Sequence, residues 1–429
     1  MNPSGSSLAD WLVRLESFSP HEIELGLDRV LDVIGRLEMT PPRRVLHVAG
    51  TNGKGSSVAM AQALLSELGE TIGSYTSPHI LDFNERICID SEPASDAEII
   101  AAFKRIDAVR AETPLTYFEF VSIAAMLVFE AREVDTAILE VGMGGRLDAV
   151  NAIEPSAGLI TNVSLDHCDW LGNDVATIAL EKAGIMRPGK TTVFGSVDAH
   201  ATISDHAKEI GADLVLAGHD YDWKIASDSW EWRGRRHALQ DLQMPSLPGE
   251  FQVTNAAGVL ALLEAAGMDE LLETGIVNRA LRRPSLPGRL QSVETDRQWL
   301  LDVAHNPGAA KVLAETLSAD PHTGKILAIV AMLSDKDVGG VISPLIDLVD
   351  EWVAVTADTD RALDACELGR QIANLTNKGC FVAESLQQAM QYSRQRTAPE
   401  DRILVTGSFY LVGPVLEALG IYSQRKGES

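Results

Sequence analysis

The residues best suited to chemistry in this chain lie in one glycine-rich segment, residues 50–56, which reads Gly-Thr-Asn-Gly-Lys-Gly-Ser. An apolar run precedes it and a stretch with helical periodicity follows it, so we expect a strand, a turn and a helix. In such a turn the backbone N–H groups face a phosphate, a lysine reaches the terminal phosphates, and a hydroxyl ligates Mg²⁺. Lys54 and Ser56 supply the amine and the hydroxyl, and the pattern predicts a site for the phosphates of ATP.

The spacing of this segment departs from the common phosphate-loop pattern, which has four residues between its glycines and none between the lysine and the hydroxyl. Here two residues separate Gly50 from Gly53, and Gly55 lies between the lysine and the serine. On spacing alone, a glycine-rich turn with a solvent-exposed lysine remains the alternative. The residues predicted to contact ATP are Thr51, Asn52, Gly53, Lys54, Gly55 and Ser56.

Three further side chains are candidates for holding the metal: Ser77, Glu140 and His167. Glu140 ends a predicted strand, and open α/β sheets bind ligands at the carboxyl ends of their strands. Two oxygen ligands and one nitrogen, completed by water, suit Mg²⁺ that bridges phosphates. Each residue also has a structural alternative: a turn before Pro78, a solvated strand end, and a hydrogen-bonded loop histidine.

The elements that must position these residues follow an alternation of short β-branched runs and longer segments with helical periodicity, which begins near residue 43. This alternation is typical of a mainly parallel sheet with crossover helices. Strands are predicted at 44–49, 136–140, 158–163, 191–195 and 213–217, and helices at 54–68, 120–132 and 253–267. The aromatic, alternating segment 221–240 predicts a small antiparallel excursion.

The segment 283–289, which reads Arg-Pro-Ser-Leu-Pro-Gly-Arg, has the breakers of a domain joint. A new alternation follows it, with strands predicted at 298–304, 325–332, 352–357 and 402–407 and a helix from about residue 308. We therefore predict an α/β fold in two parts. A P-loop ATPase domain with a mainly parallel sheet takes residues 1–287, and a smaller Rossmann-like α/β domain takes residues 288–429.

Composition limits the classes of function. The chain has 429 residues, 45% of them hydrophobic and 23% charged, which is typical of a globular protein of two or three domains. Its net charge of −25 argues against a nucleic-acid partner, because binding to a phosphate backbone needs clustered Lys and Arg. The four cysteines have no metal or redox spacing. Without a signal peptide or a membrane-spanning run, we predict a cytoplasmic monomer.

The string VAGTNGKGS (48–56) resembles the phosphate loop of the Mur ligase superfamily, and within it that of the folylpolyglutamate synthase branch. Further signatures of that branch follow in family order. They are SYTSPH (74–79), LTYFEF (115–120), LEVGMGGRLDAVN (139–151), SLDHCDWLG (164–172), EKAGI (181–185), LPGR (286–289) and DVAHNP (302–307). The resemblance covers nearly the whole chain, although the N-terminal stretch 11–30 departs from relatives at residues 17–20.

The resemblance implies an ATP-dependent ligase of the bifunctional type, which joins L-glutamate to dihydropteroate and to folates through an acyl phosphate. It assigns Mg²⁺ to Ser77, Glu140 and His167. It also implies that Lys182 is carbamylated and helps to hold a second Mg²⁺, so that Lys54, Lys182 and His305 act in catalysis. From its residue type alone, Lys182 is a surface lysine beside Glu181.

The resemblance also implies substrate contacts. It assigns ATP to Asn255, Arg289 and Asp302 across an interdomain cleft, and it leaves His305 either to orient glutamate, to accept its proton or to cap a loop. Two segments match those that line the pterin pocket of bacterial bifunctional members, with Phe118 stacking on the ring. The residues concerned are Thr116, Tyr117, Phe118, Glu119, Leu147, Asp148 and Ala149. A core aromatic with helix-start acids is the structural alternative.

Three other functions compete with this one. A monofunctional folylpolyglutamate synthase would only extend the glutamate tail of folates. A cell-wall ligase of the same superfamily would normally have a further N-terminal domain for a UDP group, and few residues precede the loop here. A nucleotide-dependent switch that binds partners belongs to another class. The chain has no Asn-Lys-x-Asp guanine motif, and a switch leaves the metal and second-domain motifs unexplained.

Overall fold

A computed structural model of the protein describes residues 7–18, 24–320 and 322–422. Residues 19 and 20, half of the predicted N-terminal departure, lie outside these ranges, as do the outer ends of both predicted domains. The described strands form three sheets of eight, three and six strands. The predicted α/β class is confirmed, whereas the boundary between residues 287 and 288 stays a prediction.

The eight-stranded sheet carries most of the residues predicted to bind ATP and metal. Its strands are β1 (Arg44–Ala49), β2 (Ile72–Tyr75), β3 (Ile87–Ile89), β4 (Glu92–Pro93), β5 (Thr136–Glu140), β6 (Ala157–Ile160), β7 (Thr191–Phe194) and β8 (Asp213–Leu216). They lie in the order β4-β3-β2-β5-β1-β6-β7-β8, and all pairs from β2 to β8 are parallel. β3 and β4 form an antiparallel edge, which the sequence did not predict.

Helices cover both faces of this sheet. They are α1 (Leu8–Glu16), α2 (Asp28–Leu37), α3 (Lys54–Leu65), α4 (Asp96–Arg110), α5 (Tyr117–Ala131), α6 (Cys168–Leu171), α7 (Val175–Ala183), α8 (Ala201–Ile210), α9 (Phe251–Ala265) and α10 (Thr274–Ala280). The apolar residues of β1 face two different cores. Val45 and Ala49 face the core under α1, α2, α4 and α5, whereas Leu46 and Val48 face the core under α3, α9 and α10.

The small sheet confirms the predicted antiparallel excursion. Its strands β9 (Asp222–Ile225), β10 (Ser229–Arg233) and β11 (Ala238–Gln243) lie in the order β11-β10-β9. Trp230 and Trp232 of β10 are buried against the core under α9, and the indole nitrogen of Trp232 donates to the carbonyl of Ala257 at 3.2 Å. The small sheet therefore extends the core under α3, α9 and α10 and does not form a separate unit.

The six-stranded sheet comes from the C-terminal part of the chain. Its strands are β12 (Gln291–Glu294), β13 (Gln298–Leu301), β14 (Ile326–Val330), β15 (Glu351–Val355), β16 (Cys380–Ala383) and β17 (Arg402–Thr406), in the order β12-β13-β17-β14-β15-β16. All pairs except β12–β13 are parallel. Helices α11 (Pro307–Ala319), α12 (Val338–Ile342), α13 (Ala365–Thr376), α14 (Leu386–Arg396) and α15 (Phe409–Ala418) cover two faces, each with its own core.

The lengths and compositions of the described helices bear on whether the chain could span a membrane. Within residues 7–18, 24–320 and 322–422, none of the helices has the length and apolar character needed to span a bilayer.

Candidate active site

The phosphate loop connects β1 to α3, as predicted. Gly53 caps α3 with a φ of 84°, and a methyl group at this position would lie 2.5 Å from the side-chain oxygen of Asn255. Only glycine fits such a turn at low cost. Asn255, predicted to bind ATP, therefore contacts the phosphate loop directly from α9. The loop is also held by Asn162, whose side-chain oxygen accepts the N–H of Asn52 at 3.1 Å.

Two lysine side chains converge on this loop. The amine of Lys54 donates to the carbonyl oxygens of Gly50 at 3.1 Å and of Thr51 at 3.3 Å. The amine of Lys182, on α7, donates to the same Gly50 oxygen at 3.1 Å. These contacts use two donors of the Lys54 amine and one of the Lys182 amine, so each retains donor capacity for a phosphate or a metal-binding group.

Lys182 is buried, with 4% of its surface exposed, so its interpretation as a surface lysine was wrong. Helix α7 carries its side chain inward under the phosphate loop, and a single sequence shows no such packing. Burial, with the nearby charge of Lys54, lowers the pKa of Lys182 to about 7. At neutral pH a large fraction of this amine is therefore unprotonated and nucleophilic.

Glu140 is also buried, at the end of β5, so it is not a solvated strand end. Its carboxylate accepts the backbone N–H of Ser77 at 3.3 Å and lies 3.9 Å from where a side chain on Gly55 would begin. Burial raises the pKa of Glu140, and the charge of Lys54 opposes that rise. Ser77 and Glu140 thus lie together at the phosphate loop, in positions that suit a cation.

His167, the third metal candidate, lies on the loop after β6 with a φ of 51°. Burial lowers its pKa to about 4, so the ring is neutral at pH 7, the form that ligates a metal. The described residues contain no ready-made group of three or more His, Cys, Asp or Glu around one point. A cation here would take ligands from Ser77, Glu140 and His167 together with phosphate oxygens, which fits Mg²⁺ or Mn²⁺.

A polar network joins the two large sheets beside His167, and the sequence did not predict it. The Asp166 carboxylate accepts from the amine of Lys336 at 2.8 Å and from the side-chain amide of Asn306 at 3.0 Å. Asn306 and Asn52 exchange amide hydrogen bonds at 3.0 and 3.2 Å. Burial would raise the pKa of Asp166, but the neighbouring His167 and Lys336 hold it well below its usual range.

The predicted residues from the C-terminal part of the chain lie at the same site as the phosphate loop. Arg289 is partly buried and lines the cavity, with its guanidinium 5.1 Å from the ring centre of Phe409. Burial lowers its pKa, which the carboxylates of Asp302 and Glu140 oppose. The Asp302 carboxylate accepts the N–H groups of Leu290 at 2.9 Å and Ala304 at 2.8 Å, and so shapes the turn after β13.

His305 has the contact of its predicted loop-capping role, and its two roles toward glutamate stay predictions. Its Nδ1 lies 2.9 Å from the carbonyl of Val303, which is the loop-capping role, and its Nε2 lies 3.9 Å from Asp166. Since a carbonyl only accepts, the Nδ1 carries the hydrogen and Nε2 has a free lone pair. Burial lowers the pKa of His305 to about 4, so the ring is neutral.

These residues line one cavity of about 470 Å³ between the two large sheets. It falls within the usual size range of ligand sites. The predicted residues that line it are Thr51, Asn52, Gly53, Lys54, Gly55, Ser56, Ser77, Phe118, Glu140, His167, Lys182, Asn255, Arg289, Asp302 and His305. Among the described residues, the other six pterin candidates, Thr116, Tyr117, Glu119, Leu147, Asp148 and Ala149, do not line it.

The carboxylates of the pterin segments hold local structure. Glu119 and Thr116 form a capping box at the start of α5, in which Glu119 accepts the N–H of Thr116 at 2.7 Å. Its other oxygen accepts from Arg29 at 2.9 Å. Asp148 accepts the N–H groups of Met143 and Val150, both at 2.9 Å, and burial raises its pKa to about 6. These contacts match the structural alternative for both acids, while the ring of Phe118 reaches the cavity.

Comparison with known proteins agrees with this geometry. Two family models match the chain: the Mur ligase middle domain over residues 48–263 and the Mur ligase glutamate ligase domain over residues 288–409. The dihydrofolate synthase/folylpolyglutamate synthase of Escherichia coli (strain K12) is 36% identical over 417 residues, which cover 97% of this chain and 96% of that protein.

Solved structures extend the likeness to the fold. E. coli FolC in complex with DHPP and ADP matches with a TM-score of 0.92 and 34% identity, over 98% of this chain and 99% of that one. A bifunctional folylpolyglutamate synthase/dihydrofolate synthase with Mn, AMPPNP and L-glutamate bound matches with a TM-score of 0.89 and 37% identity. That match covers 98% of this chain and 99% of that one.

Proposed function

The chain belongs to the Mur ligase family, among the dihydrofolate synthases/folylpolyglutamate synthases, and we propose that the cavity between its two large sheets is the ligase active site. The protein is an ATP-dependent ligase that joins L-glutamate to dihydropteroate and to folates. The observation that best supports the site is the convergence of Lys54, Lys182, Glu140 and His167 on one cavity at the phosphate loop.

A nucleotide and a divalent metal belong to the activity, and the arrangement of ligands supports Mg²⁺ as that metal. When bound, the ion would neutralise phosphate charge and polarise the γ-phosphate. Ser77, Glu140 and His167 would hold it. We further propose that Lys182 carries a carbamate that contributes to a second ion. The buried amine of Lys182, with a pKa of about 7, supports this, because only an unprotonated amine adds CO₂.

The chain's own residues would serve a two-step reaction. In the first step a carboxylate oxygen of the folate attacks the γ-phosphorus of ATP, ADP leaves, and an acyl phosphate forms. In the second step the amine of glutamate attacks the acyl carbon, phosphate leaves, and the nitrogen loses a proton. Lys54 and Arg289 lie where they can neutralise charge on the transferring phosphoryl group. Enclosure between two sheets protects the acyl phosphate from water.

His305 suits orientation of glutamate better than removal of its proton. With a pKa of about 4, its ring is a weak base compared with the amine that must be deprotonated. Its fixed Nδ1 contact with Val303 instead directs Nε2 toward the cavity. We therefore favour His305 as an acceptor that orients the ammonium group of glutamate.

Two further cations line the cavity from the C-terminal part of the chain. Lys336 pairs with Asp166 at 2.8 Å, and Arg361 pairs with Asp335 at 3.2 Å, so neither is a lone charge. We propose that their remaining donors bind a carboxylate of glutamate, since Arg and Lys are the usual partners of carboxylates. Sequence spacing contained no signal for either residue.

The test is a coupled assay of the pure protein with ATP, Mg²⁺, L-glutamate and either dihydropteroate or a reduced folate. We expect ADP release and a product heavier by one glutamate residue with both substrates, measured by mass spectrometry. Turnover of the folate without turnover of dihydropteroate would indicate the monofunctional alternative, a folylpolyglutamate synthase. ADP release without a ligated product would contradict the proposed ligase site. A cytoplasmic location, a monomeric state and the absence of nucleic-acid or membrane partners stay predictions.

A further inference from the structure

One connection of the eight-stranded sheet extends to the layer of helices on the six-stranded sheet. The β2–β3 segment, residues 76–86, leaves β2 and returns to β3, and its base is closed by the N–H of Thr76 donating to the carbonyl of Arg86 at 2.9 Å. Ser77 lies at this base, lines the active-site cavity, and donates its N–H to Glu140 at 3.3 Å. The position of the segment therefore decides the position of a proposed metal ligand.

The middle of the β2–β3 segment is seated on α15, in the second sheet's layer. Ile80 packs against the apolar core that includes Val412 and Leu416 of α15. Gly413 faces it so closely that a methyl group there would overlap the carbonyl oxygen of Ile80. The next nearest atoms would be the Ile80 carbonyl carbon at 3.2 Å and a methyl of Leu81 at 3.3 Å. All three atoms belong to the β2–β3 segment, so glycine at 413 serves this contact.

The segment is held in shape from its own side by one carboxylate. Glu85 accepts the N–H groups of Ile80 at 2.7 Å, Leu81 at 3.0 Å and Asp82 at 2.7 Å. Such charge-assisted hydrogen bonds are among the stronger polar contacts in proteins. Burial and the nearby carboxylate of Glu85 raise the pKa of Tyr422, which lies beyond the end of α15. The shape of the segment and its seat on α15 are thus joined at Glu85.

We propose that the close approach of α15 to the β2–β3 segment is a positioning contact for catalysis, through which the second sheet sets the place of Ser77 at the metal and phosphates. Gly413, Ile80 and Glu85 are the positioning residues. Ile80 is only three residues from Ser77. The hydrogen bonds to Glu85 hold the backbone of the segment in one shape, so a displacement of Ile80 also displaces Ser77. The inference rests on the proposed function in one respect: Ser77 must contribute to the metal site.

The substitution Gly413→Ala tests this contact. Because Pro414 follows in α15 and a Cβ before proline disfavours the helical conformation, the melting temperature of the variant is measured alongside its kinetics. The added methyl displaces the β2–β3 segment, and displacement of a reacting group by about 1 Å can cost about 10²-fold in rate. We expect kcat to fall by about that factor and the Mg²⁺ concentration for half-maximal activity to rise several-fold. The KM for the folate should change less than about twofold, because Phe118 packs against Tyr75 and Gly142, which lie outside the segment.

Gly379→Ala is the matched control, because a methyl group there meets no atom within 4 Å. Glu85→Gln is the second variant. It leaves α15 intact and removes the charge from three hydrogen bonds. We expect it to raise the metal requirement with little change in the folate KM, as Gly413→Ala does, but by a smaller factor. It also carries the test if Gly413→Ala does not fold.

Two results would overturn the proposal. One is a Gly413→Ala enzyme with the kcat and metal requirement of the parent. The other is a variant in which kcat, metal requirement and folate KM all change by one factor alongside a lower melting temperature, which marks a general structural role. A parent enzyme that ligates no glutamate would instead contradict the proposed function, so the two failures are distinguishable.

Discussion

The phosphate edge of the first sheet and the two pterin segments use similar residue types in different ways. At the phosphate edge, Lys54, Lys182 and Glu140 direct their charged groups into the cavity. In the pterin segments, Glu119 and Asp148 direct theirs at backbone N–H groups and, for Glu119, at Arg29. Both regions bury their acids, so burial alone does not mark a substrate contact.

The difference lies in what satisfies each charge. Arg29 and three N–H groups already occupy Glu119 and Asp148, so a ligand would have to displace existing hydrogen bonds to reach them. Glu140 has one backbone donor at 3.3 Å and an adjacent lysine, and it retains free acceptor positions toward the cavity. A buried charge with spare hydrogen-bonding capacity predicts binding chemistry, whereas a satisfied one predicts structure. Four substitutions test this comparison.

Lys54→Ala should have the largest effect. Loss of the amine at the phosphates removes positioning and charge neutralisation together, so we expect kcat for ADP release to fall by at least about 10³-fold with either substrate. Lys311→Ala is the control, since this lysine is 74% exposed on α11. A Lys54→Ala enzyme that keeps a tenth of its activity would refute the placement of the phosphates.

Lys182→Met should lower kcat by about 10²-fold, the effect expected when one electrostatic group of a site is lost. In CO₂-depleted buffer the parent should lose activity, and bicarbonate should restore it better at pH 8 than at pH 6. The sign follows from a pKa of about 7, since the amine is mostly neutral above it and mostly protonated below it.

The controls for this prediction are the bicarbonate response of Lys182→Met, which should be absent, and Lys208→Met on the exposed side of α8, which should behave like the parent. If CO₂ depletion and bicarbonate leave the parent's rate unchanged at pH 8, Lys182 acts as a plain amine and the carbamate proposal fails.

Phe118→Leu should raise the KM for dihydropteroate about tenfold, the size expected when an aromatic stacking contact is lost, and leave the KM for ATP unchanged. Steady-state kinetics with each substrate in turn measures both. Phe381→Leu removes another stacked ring, 3.8 Å from that of Tyr392 and remote from the cavity, and should alter neither constant. An equal rise in both KM values for Phe118→Leu would show that this ring has a structural role and does not stack on the substrate.

Glu119→Gln should have the smallest effect on catalysis and a visible one on stability. Removing the charge that Arg29 faces should lower the free energy of unfolding by about 2 kcal/mol, as measured by denaturant titration, with KM values within about twofold of the parent. A large rise in the KM for dihydropteroate with unchanged stability would contradict the comparison, because it would show that this carboxylate binds substrate.

Much of the fold follows from the sequence. The strands β1 and β5 begin and end where they were predicted to. The helix α3 ends at Leu65, and a 3₁₀ turn over Ser66–Leu68 continues it to Gly69, which has a φ of 70°. The strands that the sequence did not predict, β2, β3, β4, β12 and β16, have two to four residues. Strands β6, β7, β8 and β13 also have four residues but were predicted from the apolar runs around them, whereas the unpredicted strands are defined by their partners in the sheet.

The site divides in a similar way. Lys54 and Ser56 were predicted from a local spacing, because consecutive residues of one turn form the phosphate loop. Lys336 was not, because its relevance comes from Asp166, which is 170 positions away in the chain. Pair contacts of this kind depend on how two sheets are packed, and no local pattern records them.

By itself the sequence determined the class of fold, the phosphate loop and, through its ordered signatures, the ligase chemistry, since each depends on short stretches of adjacent residues. Only the tertiary structure decided that Lys182 is buried, that Glu119 and Asp148 are already satisfied, and that α15 holds the segment of Ser77. The physical reason is that burial and hydrogen-bond occupancy belong to pairs of residues distant in the chain, and packing alone brings them together.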